Sequence, residues 1–181
     1  MQRIAIIDRK DMNAEQARVH DAAKAAGSVV GGPYYVYIRN PALFEAAQHL
    51  RTTLGTSPLS ARERQIVNMT IARHWNAAYP WAVQARSSLA MGIPRSVVDA
   101  INARQTPDLP DARERACYTV SRDMLQSKGL SDAAYAAAEK TLGQDDLIVL
   151  VATVGSFTMT CLTTATFQIE APADVPVPLQ A

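Results

Sequence analysis

The sequence predicts an all-α fold, a helical bundle, and three observations support this prediction. The chain has 181 residues, of which 31 are alanine, the residue with the highest helix propensity, and only eight are glycine. Hydrophobic residues make up 48% and charged residues 19%, so a sizeable core can form. Helix-starting caps alternate with glycine and proline stops along the chain. At this length, we expect one domain over residues 1–181.

Stop signals define the first predicted elements. A helix over residues 12–26 ends at Gly27 or at the Gly-Gly-Pro sequence 31–33. Residues 34–38, Tyr-Tyr-Val-Tyr-Ile, are rich in β-formers and predict a short extended piece. The Asn-Pro sequence 40–41 then opens a helix over residues 42–54.

A capping box starts the next helix. Ser60 and Glu63 are spaced so that each side chain can bond the other's backbone N–H, and the helix runs to about Trp75. Residues 76–80 predict a break, because proline disfavours helical geometry in the residue before it. Two further helices follow, over residues 81–90 and 95–103.

The second half of the chain contains the same helix-starting sequence as the first half. The tetrapeptide Ala-Arg-Glu-Arg occurs at residues 61–64 and 112–115, each time directly after a capping residue. An internal repeat from an old duplication is one interpretation, and convergence through capping chemistry is the other. The remaining predicted elements are helices over residues 112–127, 132–141 and 145–168 and an extended, proline-containing tail over residues 171–181. The tail is either disordered or lies on a neighbouring subunit.

Charge and cysteine usage exclude several functional classes. Eighteen basic against seventeen acidic residues give a net charge of +1, which provides no field for nucleic acid or anionic lipid. Residues 147–169 carry no charge, but they contain many threonines and are flanked by acids, so we interpret them as a helix buried on most sides rather than a membrane span. Cys117 and Cys161 form no CxxC motif, which predicts reduced thiols in a cytoplasmic protein without metal or cofactor.

Three segments carry a resemblance to a known family. Residues 59–93 contain the sequence ARHWNA followed by Tyr79, Trp81 and a later Met-Gly-Ile; residues 150–169 and 40–43 add weaker matches. Together these segments resemble the carboxymuconolactone decarboxylase superfamily, which includes alkylhydroperoxidase D. The resemblance covers roughly residues 30–180. It implies an all-α fold, a small-molecule ligand, and a homo-oligomer ranging from a dimer or trimer to a hexamer.

The resemblance also implies where a redox site would lie. In the redox-active branch, a Glu, a CxxC pair and a His form a proton relay and thiol centre, which activates a thiolate and resolves its oxidised form. The matching positions are Gln65 for the Glu, Ala77 and Pro80 for the cysteines, and Gln84 for the His. None of these side chains titrates usefully, so we expect no thiol peroxidase chemistry by the family mechanism.

The same alignment provides candidate site residues. We expect Gln84, Tyr79 and His74 to act on a ligand as hydrogen-bond or acid–base groups. The residues expected to bind it are Trp81, Gln65, Tyr35, Phe157 and Thr160. For each of them, core packing or a structural hydrogen bond is the alternative.

Three functional hypotheses remain. In the first, the protein is a lyase or isomerase that acts on a small aromatic or lactone-type carboxylic compound without thiol chemistry. In the second, it is a non-catalytic small-molecule-binding or scaffold protein. The weakest is an alkylhydroperoxidase or peroxiredoxin-type activity.

Overall fold

A computed structural model describes residues 2–180, and within that range the chain forms helices and no strands. The all-α prediction is confirmed. One turn of 3-10 helix, Arg9–Asp11, precedes the α-helices. These are α1 (Ala14–Ala25), α2 (Tyr34–Tyr37), α3 (Pro41–Gly55), α4 (Ala61–His74), α5 (Ala78–Ala90), α6 (Arg95–Asn102), α7 (Ala112–Ser127), α8 (Asp132–Leu142) and α9 (Gln144–Thr166).

Local capping chemistry sets most of the helix starts. Ser60 and Glu63 form the expected capping box, with the Ser60 backbone N–H donating to Glu63 Oε2 at 2.6 Å. Asp111 caps α7 by accepting from the backbone N–H groups of Arg113 and Glu114. A second capping box, formed by Asn13 with Gln16, starts α1.

Two predicted elements differ in the structure. Residues 34–37 form the short helix α2 instead of an extended piece, because Tyr34 packs edge-on against Tyr37 and Phe44, with ring centroids 5.7 and 5.4 Å apart. Tertiary burial thus outweighs the β-propensity of these residues. The predicted break at residues 76–80 is also shorter. Helix α5 begins at Ala78, with Pro80 in its first turn, where a missing N–H breaks no helical hydrogen bond.

The core has two parts. The larger surrounds α4, whose residues Ile66, Val67, Met69 and Ile71 are fully buried between α5, α6, α7 and α9. The smaller joins α1, α2 and α3 through Val19, Tyr34, Tyr37, Ile38, Phe44 and Ala47.

The two Ala-Arg-Glu-Arg segments pair with each other. Arg62 Nε donates to Glu114 Oε1 at 2.7 Å, and Arg113 Nε donates to Glu63 Oε1 at the same distance. Since residues 62 and 113, and residues 63 and 114, are equivalent in the repeat, the exchange is reciprocal. This local two-fold arrangement supports the interpretation as an internal repeat.

Helix α9 is less buried than expected. It is long and apolar enough to cross a membrane by length and composition alone, as core helices of soluble proteins also are. One third of its most apolar window is buried, including Leu150 and Val154, whereas Ile148, Val151 and Leu162 are exposed. The helix therefore combines a core face with an exposed apolar face.

The C-terminal tail is extended, and it folds back onto its own chain. Val177 is buried, and its carbonyl accepts from Trp81 Nε1 at 2.8 Å. The Asn102 side chain donates to the Pro178 carbonyl and accepts from the Gln180 backbone N–H. The described part of the tail is thus ordered on α5 and α6; Ala181 lies outside the described residues.

Candidate functional site

A cavity of about 700 Å³ lies where the two parts of the core meet. Its walls come from the C-terminal half of α3, the first turns of α4 and α5, the middle of α9, and the segment at residues 26–33 that links α1 to α2. This volume is within the usual range for small-molecule sites. Of the residues predicted from sequence, five line it: Gln65, Tyr79, Gln84, Phe157 and Thr160.

Gln65 forms part of the cavity floor and ties α4 to α5. Its Nε2 donates to the Gln84 backbone carbonyl at 2.7 Å and to Ser88 Oγ at 3.0 Å. Both of its N–H groups are thereby committed, and the residue is buried. Gln65 consequently fixes the position of Gln84, whose side-chain amide makes no hydrogen bond within residues 2–180.

Asn68 lies one helical turn after Gln65 and also lines the cavity. Its Oδ1 is buried and has no hydrogen-bond partner within the described chain. Buried polar atoms in folded proteins are nearly always paired, so this oxygen is a candidate acceptor for a cavity occupant. The sequence motif did not single out Asn68, although its spacing from Gln65 places both on one helix face.

Two arginines give the cavity a positive charge. Arg51 on α3 and Arg64 on α4 line it, and the lining contains no aspartate or glutamate. Within residues 2–180, neither guanidinium pairs with a carboxylate; Arg64 donates to the Leu59 carbonyl instead. Sequence reasoning missed both, since Arg64 belongs to the cap motif and Arg51 comes from a separate helix.

Tyrosine side chains provide aromatic walls with hydroxyl donors. Tyr34, Tyr37 and Tyr79 line the cavity, and burial raises the pKa of each, so their phenols remain protonated at neutral pH. The Tyr79 ring lies directly against Gly32, where a Cβ atom would stand 2.6 Å from Tyr79 Cε1. Gly32 also has a φ of +63°, so glycine is required there on two grounds.

The arrangement matches solved structures along nearly the whole chain. An uncharacterized peroxidase-related protein from Ralstonia eutropha, described as an alkylhydroperoxidase AhpD core, has a TM-score of 0.78 at 16% identity, over 98% of this chain and 97% of that chain. A peroxidase-related protein from a Silicibacter species has a TM-score of 0.76 at 16% identity, over 99% and 96%. A variant of the debrominase Bmp8 in complex with 2,3,4-tribromopyrrole has a TM-score of 0.74 at 15% identity, over 96% and 95%.

The chain has the alkylhydroperoxidase D fold. This is the fold that the resemblance of residues 59–93 implied, so that expectation is confirmed. Comparison of the sequence with protein-family models and with curated proteins finds no match.

Three predicted site residues of this alkylhydroperoxidase D fold do not line the cavity. Trp81 is fully buried and faces the C-terminal tail, because it lies about 100° around α5 from Pro80, which does line the cavity. His74 lies at the end of α4, about 13 Å along the helix from Gln65. Its ring packs edge-on against Trp75, and burial together with Arg104 lowers its pKa.

Tyr35 is the third of these residues. It lies beside Tyr79 at the glycine segment, and a Cβ atom added at Gly31 would contact the hydroxyl groups of both tyrosines. Tyr35 therefore supports the segment that closes the cavity, and its neighbours Tyr34 and Tyr37 provide the aromatic wall.

The two thiols lie in the core. Cys117 and Cys161 are both free and fully buried, and neither lines the cavity. Burial raises the pKa of each to about 12, which disfavours the reactive thiolate. Within residues 2–180, no group of three or more His, Cys, Asp or Glu side chains could hold a metal ion.

These features define what the cavity can do chemically. Its lining provides two arginines, phenol and amide donors, and a buried, unpaired amide oxygen at Asn68. Its lining contains no His, Lys, Cys, Asp or Glu, so it provides no proton acceptor that works near neutral pH. The charged side chains of its lining are both cationic, which favours an anionic occupant.

Proposed function

We propose that the protein takes a small aromatic or lactone-type carboxylic compound into this cavity and acts on it as a lyase or isomerase without thiol chemistry. The observation that carries the proposal is a pair of arginines, Arg51 and Arg64, that line a cavity without carboxylates. An arginine without an anionic partner in a partly apolar site favours a carboxylate ligand.

The walls support a planar ligand of modest size. Tyr34, Tyr37 and Phe157 provide aromatic surface on two sides, and Val83 and Leu54 add aliphatic surface. A solved protein of the same fold carries 2,3,4-tribromopyrrole, a small aromatic ring, which is in keeping with a ligand of this size.

Catalysis in such a site rests on charge stabilisation. Gln84 and Tyr79 present an amide and a protonated phenol to the cavity, and these donors can stabilise negative charge that develops on a substrate when a bond to carbon breaks or moves. Reactions that begin with proton removal by a protein base are disfavoured, since the lining has none.

The lack of a base also favours a second candidate, binding without turnover. Both candidates require the arginines, but only the enzyme requires Gln84 for a chemical step. For the enzyme, we expect Gln84→Ala to reduce turnover more than ligand affinity. Equal loss of both would favour simple binding.

The test is a panel of aromatic carboxylates and lactone acids, scored for thermal stabilisation of the protein and for product by mass spectrometry. Arg51→Met and Arg64→Met should each weaken carboxylate binding about tenfold, since hydrogen bonds to charged groups contribute about 1.5–3 kcal/mol. Arg95→Met is the matched control, because Arg95 is exposed and pairs with Asp99 on α6. Undiminished binding in both cavity variants would overturn the carboxylate assignment.

Thiol peroxidase activity remains the weakest alternative. It predicts a reactive thiol, whereas both thiols are buried with raised pKa values. We expect Ellman's reagent to titrate neither cysteine in the native protein and both after denaturation. Rapid native titration coupled to peroxide consumption would support the peroxidase alternative.

Homo-oligomerisation and a cytoplasmic location stay predictions. The exposed apolar face of α9 is one surface on which copies of this chain could meet. Light scattering of the purified protein gives its mass directly, and Leu162→Glu should lower that mass if this face is the contact.

A further inference from the structure

The unpaired oxygen of Asn68 indicates which hydrogen-bonding group a ligand needs in addition to its negative charge. Asn68 Oδ1 is buried at the cavity wall without a hydrogen-bond partner. Leaving a buried acceptor unpaired is costly, and folded proteins rarely tolerate it without a functional reason. The question is which donor reaches this atom.

No side-chain donor of the cavity reaches this oxygen within the described chain. Gln65 Nε2 bonds the Gln84 carbonyl and Ser88, and the Thr70 hydroxyl bonds the Ile66 carbonyl at 2.8 Å. Gln84 and Tyr79 have uncommitted donors, but neither lies within hydrogen-bond distance of Asn68 Oδ1. In this arrangement a donor for Asn68 comes from the occupant of the cavity, either solvent or ligand.

Asn68 and the arginines lie at different points of the cavity wall. Residues 64 and 68 are four apart on α4, so their side chains leave the same helix face about 6 Å apart along the axis, and Arg51 comes from α3. A ligand that meets both therefore carries its acid and its hydrogen-bond donor on separate atoms, as two substituents of one ring do.

We infer that Asn68 accepts a hydrogen bond from a hydroxyl group on the ligand, and that the ligand class is an aromatic carboxylate that also carries a ring hydroxyl. The carboxylate lies at Arg64 and Arg51, the ring lies between the tyrosines and Phe157, and the hydroxyl donates to Asn68 Oδ1. This inference rests on the proposed carboxylate site and narrows its ligand. It makes Asn68 a specificity-determining residue.

The experiment compares four probes by calorimetry: benzoate, 4-hydroxybenzoate, 4-methoxybenzoate and the neutral 4-hydroxybenzamide. In the wild-type protein, 4-hydroxybenzoate should bind about tenfold more tightly than benzoate, since the hydroxyl satisfies a buried acceptor. The methoxy compound should lose that gain, because it has no donor. The benzamide keeps the hydroxyl but has no negative charge, so it measures the hydroxyl contact without the contact to the arginines.

Two variants test the role of the oxygen. Asn68→Leu keeps the side-chain size and removes the acceptor, so it should bind benzoate at least as well as the wild type and lose the preference for the hydroxyl. Asn68→Ser keeps a hydrogen-bonding oxygen at this position, and it provides a second variant to test if the leucine variant does not fold. Thr119→Leu is the matched control, because residue 119 is the exposed equivalent position on α7.

The outcomes separate the two proposals. Equal affinity for benzoate and 4-hydroxybenzoate, unchanged in Asn68→Leu, overturns the inference and leaves the carboxylate site standing, with solvent as the partner of Asn68. Binding of 4-hydroxybenzamide as tight as that of 4-hydroxybenzoate, still sensitive to residue 68, supports the hydroxyl contact and overturns the carboxylate. Tenfold discrimination that disappears in Asn68→Leu supports both.

Discussion

Helices α4 and α7 begin with the same four residues and pair reciprocally, yet only α4 builds a cavity. Their shared features extend for two turns. Thr70 and Ser121, 51 residues apart, both bond the carbonyl four residues earlier, at 2.8 and 2.7 Å. The repeated sequence thus determines the start of each helix and how the two helices pair.

The difference lies in the residues that follow. Gln65 and Asn68 on α4 correspond to Ala116 and Thr119 on α7, so the two amides of the cavity have no counterpart in the second half. The neighbouring elements differ too, since α3, which packs on α9, and the segment at residues 26–33 line the cavity beside α4, whereas no residue of α7 lines it. The repeat therefore borders a cavity only at α4, where both its residues and its neighbours differ from those of α7.

The largest expected effect tests the covering segment. Gly32→Ala should destabilise the protein by about 3 kcal/mol, because a positive φ and a collision with the Tyr79 ring add together. Gly27→Ala, which has a positive φ but open space around its Cβ position, should cost only about 1 kcal/mol. Urea denaturation measures both. Equal losses would show that the Tyr79 contact does not hold the segment over α4.

The reciprocal ion pairs provide the second test. Arg113→Met should cost about 2 kcal/mol, since it leaves the buried Glu63 and also Asp146 without their cation. Arg62→Met should cost about 1 kcal/mol, because Arg62 is more exposed and serves Glu114 alone. The melting temperatures of the two variants check the order. A larger loss for Arg62→Met than for Arg113→Met would contradict a stabilising role for the contact between Arg113 and Asp146.

The caps should give smaller effects. Ser60→Ala removes the side-chain acceptor of the α4 capping box and should cost about 1 kcal/mol. Ser60→Asp restores an acceptor of the kind that α7 uses and should recover most of this loss in a denaturation experiment. If the aspartate variant remains as unstable as the alanine variant, the two caps are not interchangeable.

The smallest expected effect is a change in how protein stability depends on pH in acid solution. The backbone N–H of Glu114 is the main cause of a lowered pKa for Asp111, below its ordinary value of 3.8. Its ionised form therefore stabilises α7 above about pH 4, and this contribution is lost as the pH falls through the lowered pKa. Ser60 does not titrate. Melting curves of Asp111→Ser should lose less stability below pH 4 than wild-type curves; parallel curves would contradict this role for the cap.

The sequence predicted the helices well because their ends depend on local chemistry. The caps at Ser60 and Asp111 act within three residues, so a short stretch of sequence is sufficient to locate them. The prediction failed at residues 34–37, where the burial of Tyr34 and Tyr37 against α3 decides for a helix. It also placed Trp81 at the site, although the indole bonds Val177, almost a hundred residues away in sequence.

By itself, the sequence determined the all-α class, the repeated cap motif and the absence of a CxxC pair, since each follows from residue identity and near neighbours. Only the tertiary structure brought Arg51, Arg64 and Asn68 into one cavity and left an acceptor there unpaired. The reason is physical: capping acts over one turn, whereas a cavity is the space left where helices distant in sequence pack together.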